Sequence, residues 1–133
     1  MKVAVAIILD AQKRILITQR PYHASHGGRW EFPGGKLEEN ESAAEALLRE
    51  VKEEVGLAIQ QAQQLGQIKH QYPNKTVELF IFHVSEFSGE AACLEGQLNL
   101  KWLSFDELNS LDFPEANQAI FPMIEKILSC EVA

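Results

Sequence analysis

Residues 35–57 read GKLEENESAAEALLREVKEEVGL, and this stretch decides the fold. Ser42-Ala43-Ala44-Glu45 fits a capping box, in which a serine and a glutamate three residues on cap a helix start. Gly56 stands where a helix stop belongs. The spacing therefore predicts a helix over 42–55, with Ala44, Leu47, Leu48, Val51 and Val55 as its core face. Glu50, Glu53 and Glu54 fall at i, i+3 and i+4, so they share a face with Cβ atoms about 5–6 Å apart. Like charges at that spacing repel, and near a helix C-terminus the macrodipole disfavours them further. Residues 38–54 hold seven glutamates against Arg49 and Lys52. A solvated acidic face needs more basic partners than the one i,i+4 pair, Glu45–Arg49, supplies. Hard divalent cations with oxygen ligands remove the conflict, and Mg²⁺ bound together with substrate phosphates is the common case.

Outward from this helix the pattern changes period. Val3, Val5, Ile7 and Leu9 alternate with Ala4, Ala6 and Ile8, which predicts a strand buried on both faces. Asp10–Lys13 reads as a turn and Arg14–Gln19 as a second strand, together a hairpin. Residues 21–29 form a loop, and Trp30–Pro33 a short extended piece because Pro33 keeps Phe32 out of helical geometry. Gly34-Gly35 reads as a turn. Leu65–Tyr72 and Val77–Val84 read as strands joined at Pro73-Asn74, and 85–99 as irregular. Leu100–Leu103 suggests a short strand and Asp106–Ser110 one helical turn. Pro114–Ser129 is helical, with Ile120, Met123, Ile124, Ile127 and Leu128 inward and a kink or split at Pro122. Strands mixed with flanking helices give an α/β or α+β class, in one domain over 1–133.

The chain has 133 residues, 46% hydrophobic and 23% charged, with net charge −7. One core fits that length. The acidic balance argues against a polyanion-binding face, hence against a nucleic-acid polymer as partner. The longest apolar run, Val3–Leu9, is far below the roughly 20 residues of a membrane span. The N-terminus has no secretory pattern. Cys93 and Cys130 read as free thiols of a reducing cytoplasm. Gly34-Gly35-Lys36 lacks the spacing of a phosphate-binding P-loop, and Leu37 follows the lysine where Ser or Thr belongs. No GxGxxG or GxSxG pattern is present, and His23, His26, His70 and His83 have no zinc-site spacing.

The segment Gly35–Leu57 resembles the Nudix box, GX5EX7REUXEEXGU with U aliphatic. Gly35, Glu41, Arg49, Glu50, Val51, Glu53, Glu54, Gly56 and Leu57 match every fixed position. Trp30-Glu31-Phe32-Pro33-Gly34-Gly35-Lys36, Glu95-Gly96-Gln97 and Asp112-Phe113-Pro114-Glu115-Ala116-Asn117 resemble the MutT branch of that family, the 8-oxo-dGTP diphosphatases. The resemblance implies a mixed β-sheet sandwiched between α-helices, with a loop–helix–loop catalytic box. It implies Mg²⁺-dependent hydrolysis, with Mn²⁺ as a substitute, of a nucleoside triphosphate to a monophosphate and pyrophosphate, so that 8-oxo-dGTP is cleared from the nucleotide pool. Glu50 and Glu54 bind metal in that scheme, with the Gly34 carbonyl and Glu95. Glu53 is the favoured base, ahead of Glu50 or of Glu95, which completes metal binding or shares the base role, and Arg49 orients the carboxylates. Arg20, Glu31, Phe32, Pro33, Gly34 and Asn117 are the substrate residues. The implied protein is a cytoplasmic monomer acting on a small nucleotide, away from membranes.

Asn117 is placed by the resemblance to read the base. A carboxamide offers an acceptor beside two donors. The O6/N7 edge of guanine offers two acceptors, but 8-oxidation turns N7 into a donor, and the amide then matches both positions. Two positions depart from the MutT pattern. The histidine of the loop after the second strand falls on Ser25, with His26 beside it. Lys75 replaces an arginine and loses its bidentate geometry. Tyr72-Pro73 resembles a marker of ADP-ribose-hydrolysing relatives. The alternatives are thus another nucleotide or ADP-ribose as substrate, or a non-catalytic nucleotide-binding Nudix module. The last would be expected to lose box glutamates, and all are present.

Overall fold

Alternating burial on one strand organises two cores. In the computed structural model, β1 (Lys2–Ile8) sends Ala4, Ala6 and Ile8 to one side and Val5 and Ile7 to the other. The structure describes residues 1–24, 27–113 and 115–132, the side chains of 115, 116 and 130–132 excepted. Ser25, His26, Pro114 and the Cys130 thiol therefore lie outside the described residues.

The other strands are β2 (Ile15–Gln19), β3 (Trp30–Glu31), β4 (Gly34–Lys36), β5 (Ala58–Tyr72), β6 (Lys75–Ser88) and β7 (Asn99–Leu103). The helices are α1 (Ala43–Val55), α2 (Phe105–Leu108), α3 (Glu115–Gln118) and α4 (Phe121–Val132). A mixed sheet runs β4-β1-β6-β5, with β1 and β6 parallel, and a second, antiparallel sheet runs β3-β2-β7. Ala46, Leu47, Val51 and Val55 of α1 close one core against Ala4, Ala6, Ile8 and Leu16. Leu108, Ile120, Ile124 and Ile127 close the other against Val5, Ile7, Ile15 and Ile17. The expected sandwich of mixed sheet between helices is present. No helix among the described residues is long and apolar enough to cross a membrane.

Several elements differ from the sequence reading. The Asp10–Lys13 turn forms, but β1 and β2 meet only at the Leu9–Ile15 bridge and then enter different sheets. Gly34-Gly35 is no turn: β4 pairs antiparallel with β1, at Val5–Gly34 and Ala4–Gly35. A Cβ on Gly34 would strike the Ala4 carbonyl, so glycine permits that approach. The hairpin β5–β6 extends well past 65–84, because Ile59–Gln64 pairs along a polar edge without the burial that alternation reports. Pro122 sits in the first turn of α4, where no N–H is required, and the helical pattern splits there from α3.

The box helix carries its predicted caps. Ser42 Oγ accepts from Glu45 N–H at 3.1 Å while the Glu45 carboxylate accepts from Ser42 N–H at 2.9 Å. That bond occupies Glu45, so the expected Glu45–Arg49 pair gives way to Arg49–Glu41. The core face also turns: Ala46 is buried where Ala44 was expected, and Leu48 is 46% exposed. Gly56 ends the helix at φ 77°, a left-handed conformation, and its N–H donates to the Lys52 carbonyl. Substituting Gly56→Ala should cost about 1 kcal/mol and lower Tm by roughly 3–6 °C. An unchanged Tm would show that this stop does not fix the helix end.

Candidate active site

The C-terminal half of α1 brings Glu50 and Glu54 to one face, and the loop between β6 and β7 brings Glu95 to them. One carboxylate oxygen from each lies within 4.8 Å of the others. Beside them opens a cavity of about 320 Å³, lined by Arg20, Glu31, Gly34, Glu54 and Glu95, with His23 and Gln97 on its wall. A larger cavity, about 570 Å³, lies between the Leu9–Ala11 turn and Gln60, His83 and Glu86. Of these two cavities the first adjoins the carboxylate cluster, which makes it the candidate site.

Glu54 is the strained member. It is 6% exposed, and Gly34 N–H donates to its Oε2 at 3.0 Å. Burial pushes its carboxyl up to about 8 against the Gly34 hydrogen bond, and the charges of Glu31, Glu95 and Glu50 push the same way. Glu50 lies directly over Gly35, where a Cβ would strike its carboxylate. Three hard oxygen donors, mutually repelling and one of them buried, fit a divalent cation, which is the charge this arrangement lacks.

Arg49 orders the carboxylates around the trio. Its Nε and Nη2 donate to the two oxygens of Glu41, both at 2.8 Å, and its Nη1 donates to Glu50 Oε1 at 2.7 Å. Nη2 also donates to the Lys36 carbonyl at 3.1 Å, which ties the helix to the end of β4. The guanidinium holds the Glu41 carboxyl down at about 2, together with the Glu38 N–H. Glu53 reaches Arg49 at 3.4 Å, is half exposed and stands outside the trio.

Also lining the cavity, Arg20 donates from Nη1 to both oxygens of Glu31, at 2.9 and 3.2 Å. Burial raises the Glu31 carboxyl, and Arg20 opposes that rise. Phe32 and Pro33 do not line the cavity. Phe32 is 4% exposed and stacks on Phe113 at 5.3 Å between centroids. Pro33 is buried, its carbonyl accepting from Ala6 N–H. Asn117 is half-buried on α3 and is likewise not in the cavity wall. Lys75 sits at the β5–β6 turn, 5.9 Å from the Tyr72 ring centroid, apart from the site. Of the wall residues, the sequence reading did not single out Pro21, His23, Ala24 or Gln97 as site residues. Gln97 was visible only as the end of the Glu95-Gly96-Gln97 triplet.

A family model described as a NUDIX domain matches residues 4–123. The 8-oxo-dGTP diphosphatase of Escherichia coli K12 is 33% identical over 127 residues, covering 96% of this chain and 98% of that one. The CTP pyrophosphohydrolase of the same strain is 33% identical over 129 residues, covering 97% and 93%. A solved MutT structure, from work on Aliivibrio salmonicida and Vibrio cholerae, matches with TM-score 0.80 at 31% identity, covering 93% and 97%. The chain belongs to the Nudix family. Within it, the match over nearly the full length of both chains puts it in the MutT-like branch.

A cation held at the buried Glu54 would compete with a proton. In the free protein its carboxyl is mostly protonated at pH 7, because its value is about 8. A divalent ion must displace that proton. Binding of a divalent cation at this trio at pH 7 should release close to one proton, and apparent affinity should rise up to about tenfold per pH unit until pH 8. Without metal the sign for stability is the reverse. The cost of ionising Glu54 is absent below its ordinary value of 4.5, grows as pH rises, and is complete above about 8. Calorimetry in two buffers of different ionisation enthalpy reads the proton directly, and no release at pH 7 would contradict the assignment.

Proposed function

We propose that this protein hydrolyses 8-oxo-dGTP to 8-oxo-dGMP and pyrophosphate with Mg²⁺, and so keeps oxidised guanine out of the nucleotide pool. The observation that carries the reading is the convergence of Glu50, Glu54 and Glu95 beside a cavity that also holds Arg20. Glu50, Glu54 and Glu95 are the metal ligands, joined by the Gly34 carbonyl. Bound there, Mg²⁺ supplies positive charge to phosphate oxygens that this acidic cavity would otherwise repel. Arg20, steadied by Glu31, adds a fixed positive charge to the cavity lining. Glu53 takes the proton of the attacking water as an anhydride P–O bond breaks and pyrophosphate leaves. Its half-exposed position outside the trio suits a base that has to reach water. Arg49 holds Glu50 and Glu53 in place.

Asn117 reads the oxidised base. The Trp30 N–H bond to the Asp112 carbonyl and the Phe32–Phe113 stack tie the chain entering α3 to the strand that carries Glu31. The enzyme is a single-domain, cytoplasmic monomer whose partner is free nucleotide, in keeping with its net charge of −7. A second reading, hydrolysis of CTP, is favoured by the equal identity to the CTP pyrophosphohydrolase.

Two tests separate these roles. Glu53→Gln should lower kcat by at least about two orders of magnitude while leaving Mg²⁺ affinity unchanged, whereas Glu54→Gln should lose both. Full activity in either variant would contradict its role. Asn117→Ala should keep Mg²⁺-dependent hydrolysis but lose about one to two orders of magnitude in the preference for 8-oxo-dGTP over dGTP. The readout is kcat/KM for 8-oxo-dGTP, dGTP, CTP and ADP-ribose in both proteins. An unchanged ratio removes Asn117 from base reading, and a wild type that prefers CTP overturns the substrate assignment.

A further inference from the structure

Glu95 stands on an exposed, irregular loop, yet its carboxylate lies within 4.8 Å of two helix carboxylates of like charge. Repulsion and loop entropy both act to move it away. The loop is anchored at the end of α1, where helix carbonyls lack intrahelical partners. Ala92 N–H donates to the Val55 carbonyl at 3.0 Å, and Leu94 N–H to the Glu54 carbonyl at 3.1 Å. These bonds hold the loop before Glu95. Beyond it, Leu98 N–H donates to the Gln19 carbonyl at 2.9 Å.

Gln97 bridges the remaining gap. Its Nε2 donates to the Glu54 carbonyl at 2.9 Å, and its Oε1 accepts from Glu95 N–H at 2.9 Å. One planar amide therefore joins the backbones of two of the three clustered glutamates, while its side chain forms part of the cavity wall. We infer that Gln97 is the positioning residue of the metal site: its amide sets the distance between Glu54 and Glu95 and lies outside the trio of candidate ligands. The inference rests on the metal-site reading proposed above.

The test is Mn²⁺ affinity, read by electron paramagnetic resonance, in wild type and in Gln97→Met. Methionine keeps the volume but removes donor and acceptor. The main-chain anchors at Ala92 and Leu94 remain, so the variant should fold. It should bind Mn²⁺ about tenfold more weakly, as partners that orient metal ligands typically do when removed. The Mg²⁺ concentration for half-maximal triphosphate hydrolysis should rise by the same factor. Ser104→Ala removes a helix cap in the opposite helix layer. It should lower Tm and leave Mn²⁺ affinity unchanged, which separates positioning from general stability. Should Gln97→Met not fold, Gln97→Asn decides. Its arm is one methylene too short to join both backbones, and it should show the same direction of loss. Wild-type Mn²⁺ affinity in the folded variant overturns the inference. A wild type that binds no Mn²⁺ overturns the metal site and this inference together. A wild type that binds Mn²⁺ but hydrolyses no triphosphate overturns the proposed function alone.

Discussion

The hydrogen bond from Gly34 N–H to the Glu54 carboxylate joins the edge of the mixed sheet to the end of the box helix. It crosses from β4 to α1, and both layers must be in register for it to form. β4 sits against β1 because Gly34 and Gly35 let the backbones and the Glu50 side chain approach closely. The helix sits against the same strand through Leu47, Val51 and Val55. A carboxylate is thereby carried into an apolar layer beside three others, where burial and charge both favour its protonated form. The fold holds the ionised group at an energetic disadvantage, on the order of a few kcal/mol, which the proposed cation would reverse.

Two glutamates four residues apart on one helix meet opposite environments. Glu50 is held by Arg49, whose guanidinium also grips Glu41 with two bonds. Among the described residues Glu54 has no guanidinium partner, and it takes one backbone N–H instead. The arginine thus stabilises the ionised helix on its solvent side and leaves the inner side short of positive charge. One half of the acidic helix face is thus neutralised within the protein, and in our proposal the bound cation neutralises the other.

Much of this was legible in the sequence because the informative residues are neighbours along one helix. Ser42, Glu45 and Gly56 set the helix limits through local bonds, and Glu50 and Glu54 share a face through helical periodicity alone. Where tertiary packing decides, the reading was less complete. Neither the rotation that buries Ala46 and exposes Leu48 nor the burial of Glu54 follows from periodicity. Ile59–Gln64 forms a strand through pairing with β6 rather than through an apolar face, so its glutamines concealed it. Glu95 comes from a loop far along the chain, and only resemblance suggested it. Gln97 acts through backbone contacts that no spacing rule encodes. Phe32, expected against the substrate, packs with Phe113 and Phe121.

The central claim is that Glu50, Glu54 and Glu95 form one cation site beside the Arg20 cavity. The most direct measurement is an anomalous difference map from crystals of this protein soaked in Mn²⁺. The account predicts a peak within coordination distance of oxygens from all three glutamates, with Glu53 outside it. A peak held by Glu53 and Glu41 instead, or well-ordered crystals with no Mn²⁺ at the trio, would contradict it.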